Sequence, residues 1–429
     1  MEIELDYGHG KLPVTMPADC DVTILEKRSL QALADPGAAV ARSLSEPVGA
    51  PPLAQLARGR ESACILICDF TRPVPNGLLL RPMIDTLTQA GIALERICIL
   101  VATGLHRPNE GAELAALIND PWVLEHVRIE NHFARNDADH VDLGVTPGRG
   151  VPVRLDRRFM DADLKLVTGL VEPHFMAGYS GGRKVIAPGI AHEQTIRTFH
   201  NARFMGDAGA TQCNLSNNPL HEEQLAIVAM VGDVYAVNTV LDEHRQLVFV
   251  NFGEIVASHA QAVAFVHDNA RVPVPRRFST VLTSAAGYPL DQTYYQTVKG
   301  MVTPMDIMAS NAHLIIASDC SEGLGSAEYR LAQQRLIALG NDGFLDAIHA
   351  QSLAEIDEWQ TQMQLRPMRN AKISLYSEGL NPADRALTGV HSIDAIGPAV
   401  AASMAASGDR AVAVIPEGPY VVPYYEPRA

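Results

Sequence analysis

Several features are scarce in these 429 residues, and each scarcity excludes something. Cysteine occurs six times, at positions 20, 64, 68, 98, 213 and 320, and never as CxxC. That argues against a zinc ribbon or a disulfide framework and for buried, reduced thiols in a cytosolic protein. No apolar run approaches the ~18 uninterrupted residues of a membrane span. The start, Met1-Glu-Ile-Glu-Leu-Asp6, is acidic and lacks the apolar core of a signal peptide. Basic residues are outnumbered, 34 against 49 acidic ones, for a net charge of -15. Such a surface repels polyanions, which speaks against nucleic acid and anionic membrane as partners. HExxH and GxxxxGK[ST] are both missing, so neither a zinc hydrolase nor a P-loop nucleotide triphosphatase is supported.

What is present is ordinary globular material, 47% hydrophobic and 19% charged, at a length that suits two or three domains. Short runs rich in Ile, Val and Leu alternate with helical patterns. Ala63–Cys68, Ile97–Ala102 and Leu164–Thr168 read as buried strands, and about Leu78 to Ala90 and Asn109 to Ile118 as helices. This rhythm predicts an α/β fold with mostly parallel, Rossmann-like sheets covered by helices. Residues 34–60, rich in Ala, Pro and Gly, read as a loose connection. Arg271-Val-Pro-Val-Pro-Arg-Arg277 reads as a hinge between domains. Beyond it, Thr280–Thr283, His313–Ser318, Lys372–Tyr376 and Ala411–Ile415 read as strands, with helices at Ala327–Leu339 and Gly343–Ala350. A second α/β domain is therefore expected from about 275 to 405.

In parallel sheets, ligands sit outside the carboxyl ends of the strands. Three polar clusters follow directly on such ends: Asp69–Arg72, Thr103–Arg107 and Glu172–Lys184. They are expected to share one crevice. In the third cluster, Gly178, Gly181 and Gly182 clear side chains from a loop that ends in Arg183-Lys184. Glycines let backbone N–H groups approach an anion, and the two cations complete a phosphate or carboxylate cradle. Lys184 itself fits an anion-binding, a surface or a covalent role, because a lysine beside other cations loses its proton readily. Histidine as a residue type changes charge near neutral pH, so His106 and His174 suit proton transfer from opposite sides of the crevice. His200 suits metal ligation through its neutral imidazole. Arg72 suits an anion beside Asp69. In the second domain Tyr295, Gln296 and Lys299 gather on one short stretch able to hold a carboxylate.

These residues resemble the nickel-pincer-nucleotide lactate racemase family. The resemblance rests on Asp69-Phe-Thr-Arg-Pro-Val-Pro75, Ala102-Thr-Gly-Leu-His-Arg-Pro108, Glu172-Pro-His-Phe-Met-Ala-Gly-Tyr-Ser-Gly-Gly-Arg-Lys184, His200-Asn201, Tyr295-Gln-Thr-Val-Lys299 and Pro416-Glu-Gly-Pro419. The motifs run in family order over almost the whole chain, and Tyr7-Gly8 and Trp359 join them.

The resemblance implies a racemase or epimerase that inverts C2 of a 2-hydroxycarboxylic acid, lactate or a relative including sugar acids. It implies nickel held by pyridinium-3,5-bisthiocarboxylic acid mononucleotide, which takes the C2 hydrogen as hydride and returns it. Lys184 would carry that group covalently, and His200 would ligate the nickel. His106 and His174 would handle the hydroxyl proton. Asp69, Thr71, Arg72, Gly181, Gly182, Arg183 and Trp359 would surround the cofactor. Arg72, Tyr295, Gln296 and Lys299 would hold substrate. The implied site is a cleft between two domains, the first comprising 1–270 plus 408–429, the second 275–405. Cofactor-assembly proteins would act as transient partners in the cytoplasm. Two alternatives carry the same residues: a cofactor-independent proton-transfer isomerase, and a non-catalytic binder of the pincer cofactor.

Overall fold

A computed structural model describes Met1–Pro427. The chain forms two compact units. The larger comprises Ser29–Phe199 and Ala208–Asp268; the smaller comprises Met1–Arg28, His200–Asp207 and Asn269 onward. Among the described residues no helix is long and apolar enough to cross a membrane.

The larger unit is built on six strands in the order Leu247–Glu254, Tyr235–Leu241, Leu164–Leu170, Ala63–Cys68, Ile97–Ala102, Arg128–Asn131. The first pair is antiparallel and the remaining pairs are parallel. Ala63–Cys68 matches Ile97–Ala102 residue for residue, from Ala63 opposite Ile97 to Cys68 opposite Ala102. Both faces of these strands are covered, which explains why the sequence shows unbroken apolar runs instead of alternation. Ile65, Ile67, Ile99, Val101 and Leu166 pack with Leu79, Met83 and Ile84 of the helix Asn76–Gln89.

The smaller unit carries an all-parallel sheet in the order His391–Ile393, Ala371–Tyr376, Met308–Ala317, Phe278–Ser284, Ala411–Ile415, Asp21–Ile24. Successive residues serve opposite faces, as the two-residue period of a strand requires. Val281, Ala413 and Ile415 enter one core, while Leu282, Val412 and Val414 enter the other.

Three expectations are corrected. Residues 408–427 and the first 28 residues belong to the smaller unit, because Ala411–Ile415 and Asp21–Ile24 complete its sheet; Arg428 and Ala429 lie outside the described residues. The stretch 34–60 is ordered around a helix, Pro36–Ser45. Its amino end is capped by the Asp35 carboxylate, which accepts from Ala38 N at 2.9 Å, and Val40 and Leu44 are buried. The basic stretch after residue 270 is a strand, Arg271–Val274, paired with Val422–Tyr425. Its prolines are tolerated because a two-stranded sheet leaves one side of each strand unpaired. The chain does pass from one unit to the other nearby, after Asp268. The two helices expected at 327–350 are both present within Ala327–His349, separated at Gly340, where φ is 71° and ψ is 174°.

Leu166 is fully buried and Leu331 is 60% exposed. Leu166→Ala is expected to cost about 2–5 kcal/mol and Leu331→Ala less than about 0.5 kcal/mol, read from urea midpoints at constant slope.

Candidate active site

In the larger unit the chain enters at Ala63–Cys68, continues to one side through Ile97–Ala102, and later returns to the other side at Leu164–Leu170. The strand order therefore reverses next to Ala63–Cys68, and loops leaving neighbouring strands diverge there to open a crevice. The three polar clusters follow these three adjacent strands, as the sequence predicts.

Asp69 and His106 meet across two of the loops. His106 Nδ1 lies 2.6 Å from Asp69 Oδ2, and Asp69 Oδ1 accepts from Thr71 Oγ1 at 2.6 Å and from Thr71 N at 3.2 Å. Asp69 is buried while the His106 side chain is 52% exposed. Burial alone would raise the Asp69 carboxyl, but His106, Thr71 and Arg72 together hold it below its usual value. The carboxylate sets the proton on His106 Nδ1 and presents Nε2 as the proton-accepting atom. Arg72 reaches the third loop, with Nε 3.3 Å from Glu172 Oε1. Glu172 thus braces Arg72, a role the sequence did not single out.

Lys184 stands on the one-turn helix Arg183–Ile186 at the end of the third loop. Among the described residues it forms no ion pair. Burial, then Arg72 and Arg183, push its amine down to about 7. Lys184 is thus a nucleophilic amine at neutral pH.

Arg183 and its glycines correct the cradle reading. Arg183 is 1% exposed, and its Nη2 donates to Ala177 O at 2.9 Å and Tyr179 O at 3.2 Å. Its guanidinium is turned to the protein's own loop. Gly182 has φ +48°, and a Cβ there would lie 2.8 Å from the His259 ring; at Gly181 one would lie 2.8 Å from Val171 Cγ2. These glycines are required by internal packing against His259 and Val171.

His174 follows the strand Leu164–Leu170 on the other side of Ala63–Cys68 from His106. Its Nδ1 accepts from Met176 N at 3.3 Å and Ala177 N at 3.2 Å.

The remaining predicted residues belong to the smaller unit. The His200 and Trp359 rings are 5.1 Å apart. Trp359 Nε1 donates to Tyr295 OH at 3.2 Å, and Tyr295 packs edge-on against Tyr329 at 5.0 Å. Tyr295, Gln296 and Lys299 share the helix Tyr294–Val302; Gln296 and Lys299 are three apart and so lie on one face. The Gln296 Oε1 atom is buried without a hydrogen-bond donor. Among the described residues no group of three or more His, Cys, Asp or Glu is arranged to hold a metal ion.

Two testable consequences follow from these charges. In the protein without cofactor, Lys184 is expected to acetylate with a pH midpoint of about 7, where an ordinary lysine has one of about 10.4; peptide mass spectrometry across a pH series reads this. A midpoint above pH 9 would refute the buried-amine assignment. Asp69 has a depressed carboxyl, so its contribution to stability is present above the ordinary carboxylate value of about 3.9 and is lost as pH falls through the lower folded value. The stability gap between wild type and Asp69→Asn, measured by denaturant titration, should therefore be widest near neutrality and close below about pH 4.

Comparison with known proteins shows the family. The lactate racemase N-terminal domain model matches residues 7–212, and the lactate racemase C-terminal domain model matches residues 275–422. Lactate racemase of Thermoanaerobacterium thermosaccharolyticum is 30% identical over 88% of this chain and 88% of its own. Lactate racemase of Lactiplantibacillus plantarum is 31% identical over 88% of this chain and 89% of its own. The solved lactate racemase apoprotein from T. thermosaccharolyticum superposes with a TM-score of 0.90 at 28% identity, covering 99% of this chain and all of that one. A solved Thermotoga maritima protein shares the fold alone, with a TM-score of 0.69 at 15% identity over 94% of this chain. The chain belongs to the lactate racemase family and is an isomerase of the racemase type.

Proposed function

We propose that this enzyme inverts C2 of lactate or a closely related 2-hydroxycarboxylic acid, using a nickel-pincer nucleotide attached to Lys184. The observation that carries the reading is the joint presence, following adjacent parallel strands, of a carboxylate-braced histidine and a desolvated lysine amine lowered to about 7.

The residues fit the implied group. Lys184 offers an amine that can be acylated, and Arg72 offers a cation for a nucleotide phosphate. His200 offers a single imidazole, a donor that suits nickel. In the group that the family resemblance implies, the other nickel ligands would be the sulfur and carbon donors of the nucleotide. When bound, that group supplies a reversible acceptor for the C2 hydrogen.

The chain's own residues do the rest. His106 Nε2 takes the hydroxyl proton of one enantiomer, and the buried Asp69 carboxylate stabilises the imidazolium that forms. His174 returns a proton to the C2 oxygen, which restores the hydroxyl group of the opposite enantiomer. Gln296 and Lys299, with Tyr295, would hold the substrate carboxylate. Thr71 fixes the orientation of Asp69 and would stand with Asp69 and Arg72 at the cofactor. Assembly proteins in the cytoplasm would load the cofactor.

With loaded enzyme, a chirality-resolved assay on lactate is expected to show equilibration of both enantiomers. His106→Ala and His174→Ala should each lose on the order of 10²–10⁴ in kcat while the adduct on Lys184 persists by mass. Turnover by protein lacking both adduct and nickel would favour direct proton transfer instead. An adduct without turnover on any 2-hydroxyacid would favour a binder.

A further inference from the structure

The loop from His174 to Gly182 is held by its carbonyl groups. Asn218 Nδ2 donates to Met176 O at 2.9 Å, and Arg183 Nη2 donates to Ala177 O and Tyr179 O. His259 Nε2 lies 2.8 Å from Ser180 O and 3.1 Å from Arg183 Nη1. One nitrogen cannot both donate to Ser180 and accept from Arg183, and the shorter contact places its proton toward Ser180. All of these anchors are buried: Asn218 is 0%, Arg183 1% and His259 3% exposed.

Peptide geometry turns this anchoring into ring orientation. In a trans peptide the carbonyl and the following N–H point in opposite directions. Asn218 fixes the Met176 carbonyl, so the Ala177 N–H is aimed away from Asn218, and it is this N–H that meets His174 Nδ1. We infer that Asn218, with Arg183 as a second anchor, is a positioning residue that sets the orientation and tautomer of the His174 ring. An Nδ1 atom facing two N–H donors holds no proton, so the neutral ring carries its proton on Nε2, the tautomer opposite to that of His106. The two histidines are therefore inequivalent: one presents an accepting Nε2, the other an Nε2–H.

The Asn218 amide has a second task that lets the roles be separated. Its Oδ1 caps the helix Pro219–Val231 by accepting from Leu220 N at 3.1 Å and His221 N at 3.2 Å. Asn218→Ser keeps a capping oxygen but removes the donor to Met176; Asn218→Asp keeps the cap and the side-chain volume.

The inference rests on His174 being an acid/base group, and the test separates the two claims. Protein without cofactor, labelled with ¹⁵N-histidine, reads the ring directly. Wild type is expected to show one neutral His174 tautomer protonated at Nε2, and Asn218→Ser a mixture of both. In loaded enzyme, Asn218→Ser and Asn218→Asp should lower kcat by about tenfold or more with KM within about twofold. Arg183→Lys should retain more activity than Arg183→Met. If Asn218→Ser unfolds, Asn218→Asp carries the same readouts with the cap intact. Wild-type tautomer and kcat in both Asn218 variants would overturn the positioning role. Full turnover by His174→Ala would overturn the acid/base reading alone, leaving the ¹⁵N result to decide the ring's orientation.

Discussion

Parallel pairing of Ala63–Cys68 with a neighbour on each side is the constraint on which the site in the larger unit depends. Parallel strands end at the same edge, so the loops that follow them must leave side by side. Reversal of strand order at that position then spreads the loops apart. Asp69, His106 and Glu172 are far apart in sequence and adjacent in space for this reason alone. The apolar core beneath them, centred on Ile65, Ile99 and Leu166, makes that edge rigid.

The chemistry is governed by where charge is buried and what compensates it. Asp69 is buried yet ionised because His106, Thr71 and Arg72 answer it. Lys184 forms no ion pair among the described residues, and desolvation with Arg72 and Arg183 outweighs Glu172 and brings its amine down to about 7. Arg183 is buried and satisfied by carbonyl groups of the loop that precedes it. Three ionisable groups in one small region thus take three different solutions, which suit an acid/base partner, a nucleophile and a structural anchor.

Some of this was legible in the residues and some was not. The strands Ala63–Cys68, Ile97–Ala102 and Ala411–Ile415 lie where their apolar runs place them, because a buried parallel strand needs side chains that tolerate burial on both faces. The helix Pro36–Ser45 was missed because its Ala, Pro and Gly content outweighed a capped start and two buried apolar positions. Glu172 was quoted but given no task, since a single acid in a loop does not announce its ion pair with Arg72. His259 and Asn218 carry no motif at all; a lone histidine in a helix and an Asn before Pro219 look like ordinary solvated or capping residues.

The sequence by itself determined the α/β class and the family, because strand periodicity and motif order are local properties of the chain. Tertiary structure decided which of those side chains face chemistry and which face the protein. Arg183 and Lys184 are neighbours in sequence, and spacing alone makes them equivalent cations. Only the fold turns Arg183 inward onto the carbonyls of Ala177 and Tyr179 and leaves Lys184 as a desolvated amine with its value lowered to about 7. The same holds for the smaller unit's sheet, whose last two strands come from residues near 22 and 413. No local pattern specifies which sheet a terminal strand will join, because that choice is made by hydrogen-bonding partners distant along the chain.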